Sequence, residues 1–127
     1  MLKVTKFGGS SMASADQYRK VRDIVLSDPD RRVVVVSAAG KRDKHDHKIT
    51  DLLYLCYAHT RYGVDCGQVF DMITSRYLEI RDELGIKLDL ETEFADLKTR
   101  LDEKSVTQDE LVSRGEYFSA KLMAAYL

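Results

Sequence analysis

The stretch Val4-Thr5-Lys6-Phe7-Gly8-Gly9-Ser10-Ser11 reads as a short strand that delivers a lysine, two glycines and two hydroxyls into a turn opening a helix. Adjacent glycines let main chain approach a ligand closely, and successive free N–H groups in such a turn form an anion-binding concavity. The lysine adds a full positive charge, which suits phosphate. A P-loop carries its lysine after the glycines and the dinucleotide fingerprint needs three spaced glycines, so this turn is neither. On the local pattern alone, a plain glycine turn joining a strand to a helix accounts for the residues equally well.

The residues beyond the turn set its context. Ser14-Ala15-Asp16-Gln17 fits a capping box, with Ser14 as N-cap and Gln17 at N3. Tyr18, Val21, Ile24 and Val25 then recur at helical spacing, and the helix stops near Ser27-Asp28-Pro29-Asp30. Val33-Val34-Val35-Val36 is an unbroken β-branched run of the kind found in strands buried on both faces of a parallel sheet. Strand, helix, strand is a βαβ unit, so the ends of both strands, Lys6 to Gly9 and Ser37 to Gly40, are expected along one sheet edge. Open α/β sheets bind their ligands at that carboxyl edge.

Beyond the second strand, Gly40-Lys41-Arg42-Asp43-Lys44-His45-Asp46-His47-Lys48 is a charged loop without apolar periodicity. Its lysines and Arg42 sit on the expected ligand edge, where they either draw in an anion or form an ordinary charged surface. His45 and His47 have no carboxylate or thiol cluster beside them, and no metal ligand set is assigned. Four helices come next: from Ile49-Thr50-Asp51 to about Tyr62-Gly63, from about residue 67 to 84, from about Leu90 to Lys104 with Asp89 as N-cap, and from the capping box Thr107-Gln108-Asp109-Glu110 to the terminus. From the local pattern, Thr50 reads first as an N-cap for its helix, a role that can coexist with ligand binding. On the last helix, Leu111, Gly115, Phe118, Leu122 and Ala125 form the central apolar stripe, with Glu110, Arg114, Tyr117 and Lys121 toward solvent. Glu116 falls on the flank of the stripe with Val112, Ser119 and Met123. A carboxylate there either reaches past the stripe to water or an arginine, or faces a polar ligand such as an ammonium group.

Length and charge bound the remaining possibilities. A chain of 127 residues forms one modest core, hence one domain or a piece of one. A net charge of −1 with interspersed signs gives no basic patch, which argues against nucleic acid or an anionic membrane as main partner. No apolar run approaches a membrane span, and the first residues lack the apolar core of a signal peptide. Cys56 and Cys66 match no zinc or redox spacing and are expected as free thiols, consistent with a cytoplasmic location. The last helix has no closing glycine, asparagine or proline, and two strands make a thin sheet for so many helices. Both features point to a chain cut from a larger protein.

Four segments carry a family likeness. Lys6-Phe7-Gly8-Gly9-Ser10-Ser11 resembles the N-terminal signature of aspartate kinases. Val35-Val36-Ser37-Ala38 is similar to that family's second-strand segment, Ile49-Thr50-Asp51-Leu52-Leu53 to its following helix start, and Ser113-Arg114-Gly115-Glu116 to its Ser-x-Gly-Glu segment. The segments occur in family order across nearly the whole chain. The resemblance implies an α/β fold, the N-terminal portion of a three-layer α/β/α amino-acid kinase sandwich over residues 1–127. It implies that Lys6 lies beside the transferred phosphoryl group, that Gly8 and Gly9 cradle the phosphates of ATP with help from Ser10, and that Ser37, Thr50 and Glu116 bind L-aspartate, Glu116 taking its amino group. The family reaction converts aspartate and ATP, with Mg²⁺, to 4-phosphoaspartate and ADP, the entry to lysine, threonine and methionine synthesis.

The remainder of a family member supplies a further Gly-rich segment, a substrate-binding arginine, the nucleoside site and regulatory ACT domains. Residues 1–127 alone are therefore expected to be inactive, and the full-length protein is expected to be a homo-oligomer. Two alternatives stay open: a sibling enzyme phosphorylating another carboxylate or a carbamate, and a non-catalytic helical module that self-associates through exposed sheet edges.

Overall fold

The computed structural model describes all 127 residues. Strand β1 (Lys3–Phe7) leads into a 3-10 turn (Gly9–Met12) and helix α1 (Ala15–Leu26), which returns the chain to strand β2 (Arg31–Val36). The strands pair in parallel, Thr5 opposite Val34 and Phe7 opposite Val36, so the βαβ unit forms as its pattern requires. Helices α2 (Ile49–Arg61), α3 (Gly67–Glu83), α4 (Glu91–Asp102) and α5 (Gln108–Tyr126) complete the chain. No helix is long and apolar enough to cross a membrane. Cys56 and Cys66 are both buried, unpaired thiols; burial beside Cys66 pushes the Cys56 thiol up to about 12.

Helices cover one face of the two-stranded sheet. Phe7 and Val36 on that face are buried, and Val34 packs against the core. Alternate residues point the other way, so Val4, Val33 and Val35 lie on an open face at 65%, 42% and 43% exposure. The all-valine run therefore belongs to a strand with one face buried here, not two. Ile24 is likewise exposed, because α1 turns Tyr18, Val21 and Val25 inward instead. Below the sheet the core is continuous from Met12 and Tyr18 through Ile49, Leu53 and Tyr77 to Phe118 and Leu122. Phe94 meets Phe118 edge-on at 4.8 Å, an arrangement that aligns a positive ring edge with a negative ring face.

Local chemistry accounts for most element ends. Thr107 Oγ1 accepts from the Glu110 amide while Glu110 reaches back to the Thr107 amide, so the capping box of α5 is complete. At α1 only half a box forms: Ser14 Oγ accepts from the Gln17 amide at 3.4 Å. Asp89 caps α4 in effect, accepting from both the amide and hydroxyl of Thr92, although the helix proper starts at Glu91. Gly63 and Gly85 close α2 and α3 at φ +72 and +67, values that a residue with a Cβ resists. Thr50 is not an N-cap. It lies inside the first turn of α2, whose N-cap position is Lys48, and no side chain caps that end.

The loops after β1 and β2 touch through main chain. Gly40 N–H donates to the Gly9 carbonyl at 2.8 Å. A Cβ on Gly40 would lie 2.7–2.9 Å from Gly9 and Ser10 backbone atoms, and one on Gly9 would lie 3.2 Å from the Ala38 carbonyl. By contrast, nothing approaches within 4 Å of a Cβ built on Gly8. Gly40→Ala is thus expected to lower stability by about 2 kcal/mol, the cost of forcing packed backbone apart, while Gly8→Ala stays within about 0.5 kcal/mol. Urea unfolding of the two variants side by side measures the contrast.

Candidate active site

At the carboxyl edge of the sheet, five segments of chain enclose an open cleft of about 520 Å³. The glycine turn contributes Gly9 and Ser10, and the segment after β2 contributes Ser37, Ala38, Ala39 and Gly40. The charged loop adds Lys41 and Lys48, the first turn of α2 adds Thr50, and α5 adds Glu116. Residues more than a hundred positions apart thus share one wall-to-wall space. The hydroxyls of Ser10, Ser37 and Thr50 and the carboxylate of Glu116 take no hydrogen bond from, and give none to, any protein group. They are free for a ligand.

Glu116 is exposed, not half-buried, and Ala125 is exposed as well. The inward face of α5 runs instead through Leu111, Gly115, Phe118, Ser119, Leu122 and Met123. Ser119 fits there because its hydroxyl bonds to Tyr77 at 3.2 Å. Glu116 lies beside this inward face and stays exposed because its flank borders the cleft mouth. Gly115 lets it come so close: a Cβ there would lie 2.7 Å from the Ala38 Cβ, so only glycine allows α5 to cross directly over the end of β2.

Two neighbouring side chains on α3 hold the cleft walls. Arg76, only 4% exposed, donates to the carbonyls of Gly40 at 2.7 Å, His47 at 3.0 Å and Ala13 at 3.4 Å. Its charge is met by Asp46 at 2.7 Å. A second arginine, Arg42, grips the same carboxylate at 2.7 Å, and its hydrogen bond above all holds the Asp46 carboxyl well below the usual carboxylate range. Tyr77, fully buried, accepts from the Ala39 amide at 3.3 Å and donates to the Gly115 carbonyl at 2.8 Å. Burial pushes its phenol up, so it stays a neutral donor. Neither residue carried a sequence signal for this task, since both fall on helical positions that read as ordinary packing.

Lys6 and Gly8 are not among the residues lining the cleft. Strand parity explains Lys6: Phe7 faces the core, so Lys6 shares the open face with Val4 and Val35. Gly8 sits exposed at the entry of the 3-10 turn. His45 and His47 are exposed in the charged loop, and His47 serves through its main-chain carbonyl.

Tyr77→Phe keeps the ring in the core but removes the bridge between Ala39 and Gly115. Leaving that buried amide without its acceptor is expected to cost about 1–3 kcal/mol. Amide hydrogen exchange should quicken selectively at Ala39 and from Gly115 to Ser119, whose hydroxyl also loses its Tyr77 partner, with the two ends of α5 unaffected.

The sequence and the fold match a known family along the whole chain. The model of the amino acid kinase family aligns with residues 1–127. Aspartokinase 3 of Bacillus subtilis is 41% identical over 130 aligned positions, covering 98% of this chain and 29% of that protein. The lysine-sensitive aspartokinase 3 of Escherichia coli is 33% identical, again over 98% of this chain and 28% of its own length. Among solved structures, Clostridium acetobutylicum aspartate kinase superposes with a TM-score of 0.93 at 44% identity, over 99% of this chain and 29% of that one. Escherichia coli aspartokinase III, in complex with aspartate and ADP, gives 0.77 at 27% identity, over 99% and 28%. The chain therefore spans under a third of the length of these relatives, and across all of its residues it belongs to the amino acid kinase family.

Proposed function

We propose that this chain forms the N-terminal part of the catalytic domain of an aspartate kinase, which transfers the γ-phosphoryl group of ATP to the side-chain carboxylate of L-aspartate. The observation that carries the reading is the convergence of Gly9, Ser10, Ser37, Thr50 and Glu116 on one cleft, with the polar side chains of the last four unpartnered. The likeness to an aspartokinase solved with aspartate and ADP supports the choice of substrates. The whole reaction belongs to a chain of the relatives' length.

In this reading the substrate splits across the cleft. Glu116 pairs with the ammonium of aspartate, and the hydroxyls of Ser37 and Thr50 orient its carboxylates. The glycine turn, with Gly8, Gly9 and Ser10, takes the phosphates on the opposite side, and Lys6 reaches the transferred group from the end of β1. A substrate carboxylate oxygen attacks the γ-phosphorus, the bond from phosphorus to the β–γ bridging oxygen breaks, and ADP leaves with that electron pair. The carboxylate is already ionised at neutral pH, so no general base is required. Catalysis reduces to positioning and to neutralising the charge that spreads over the phosphoryl oxygens.

The cleft holds one carboxylate, Glu116, and no cluster of three metal-ligating side chains occurs in the chain. That donor set fits Mg²⁺ arriving on the nucleotide and held mainly by its phosphates. The open face bearing Leu2, Val4, Val33 and Val35 supports burial by further protein, whether more of the same domain or another subunit of a homo-oligomer.

The test is steady-state kinetics of the full-length protein with ADP release as readout. Loss of a charge-assisted bond in Glu116→Gln is expected to raise the KM for aspartate by about 10- to 100-fold. The KM for ATP should stay within about twofold of wild type, because Glu116 touches only the amino-acid half. An unaltered aspartate KM, or a different carboxylate proving the preferred acceptor, would overturn the reading.

A further inference from the structure

We propose that Lys41 and Lys48, which bracket the loop between β2 and α2, form a cationic arm that binds the polyphosphate chain of the nucleotide; the proposal rests on the kinase reading above. The loop carries four basic side chains, Lys41, Arg42, Lys44 and Lys48, in a run that looks uniform in sequence. The fold sorts them. Arg42 turns to the outer side, where Asp46 takes its guanidinium and Glu79 approaches at 3.5 Å. Lys44 is exposed and lies outside the cleft. Lys41 and Lys48 line it.

The anchor beneath the loop accounts for this division. Asp46 and the His47 carbonyl are tied down by Arg76, so the middle of the loop is held against α3. Its two ends are fixed separately. Gly40, just before Lys41, bonds to Gly9 of the glycine turn, and Ile49, just after Lys48, donates its amide to the Ala39 carbonyl at 2.9 Å. Both lysines are therefore delivered to the same opening by backbone that has little freedom to withdraw them.

Neither lysine has an acidic partner among the ion pairs of the chain. In a protein with slightly more acidic than basic residues, two unpaired cations in one cleft are a local concentration of positive charge. The cleft's charged lining consists of these two and Glu116, which leaves it formally positive. Glu116 is committed to an ammonium group in the kinase reading, so the positive charge is left for an anion. Lys41 adjoins the glycine turn through Gly40, which places that anion at the phosphates. A nucleoside triphosphate carries the densest negative charge of the two substrates, and attraction grows with the product of charges.

The experiment compares Lys41→Met, Lys48→Met, their double variant and Lys44→Met in the full-length protein, with circular dichroism to verify folding. Inorganic tripolyphosphate binding by calorimetry is the direct probe, and the KM for ATP at low and high salt is the second. The double variant is expected to bind tripolyphosphate about thirtyfold more weakly than wild type and to lose most of the salt dependence of its ATP KM, while Lys44→Met stays within about twofold. An absence of tripolyphosphate binding by wild type overturns the proposal. So does a double variant within about twofold of wild type, an equal loss in Lys44→Met, or a rise confined to the aspartate KM. A wild-type protein that binds tripolyphosphate through these lysines yet does not phosphorylate aspartate would sink the kinase reading and leave the arm standing.

Discussion

The guanidinium of Arg76 leaves α3 for a buried position where it meets one carboxylate and three main-chain carbonyls. Those acceptors come from the end of the 3-10 turn, the residue after Ala39, and the far side of the charged loop. A planar group with five donors in a fixed fork is suited to hold three segments at once; a lysine, with one point charge, is not. Burying such a charge is costly unless it is paired and its donors are used, and both conditions are met. Tyr77, the next residue, performs the corresponding task for α5. Adjacent helical residues project about 100° apart, so one turn of α3 serves two walls of the cleft.

Between those anchors, glycines set the spacing. Gly40 lets the two strand-end loops touch backbone to backbone, and Gly115 lets α5 settle on Ala38. The result is that Ser37, Thr50 and Glu116 converge although each belongs to a different element. The side chains of the proposed site are held by groups that do no chemistry themselves. This division suits the proposed phosphoryl transfer, in which the protein's contribution is mainly placement and fixed charge.

The open face of the sheet and the cleft mouth both expose groups that the molecule's own packing does not need. The first is apolar and flat, with Val4, Val33 and Val35 in a row. The second is polar, with unpaired lysines and unpartnered hydroxyls. Lys6 lies on the apolar face, paired with Val35 one residue before the end of β1.

Much of this architecture is legible in the order of residues. The short strand ending in the glycine turn, the valine run and the helical periodicity between them determine a βαβ unit, because hydrophobic period and a crossover's length leave few other pairings. Thr107 and Glu110 determine where α5 begins, since the cap is a local bond between residues three apart. The family motifs also lie in contiguous stretches, which is why Gly9, Ser10, Ser37, Thr50 and Glu116 can be named from them; the same motifs name Lys6 and Gly8, which do not line the cleft. What only the tertiary structure decided is rotation and company. A helical wheel locates Glu116 on the flank of the apolar stripe, but that this flank borders an open cleft is decided by the glycine turn, the segment after β2 and the start of α2, which line its other sides. The run of basic residues after β2 looks uniform until Asp46 and Arg76 divide it. Arg76 and Tyr77 carry no motif, because most of their partners are backbone groups distant in sequence, and backbone has no residue identity to betray the contact.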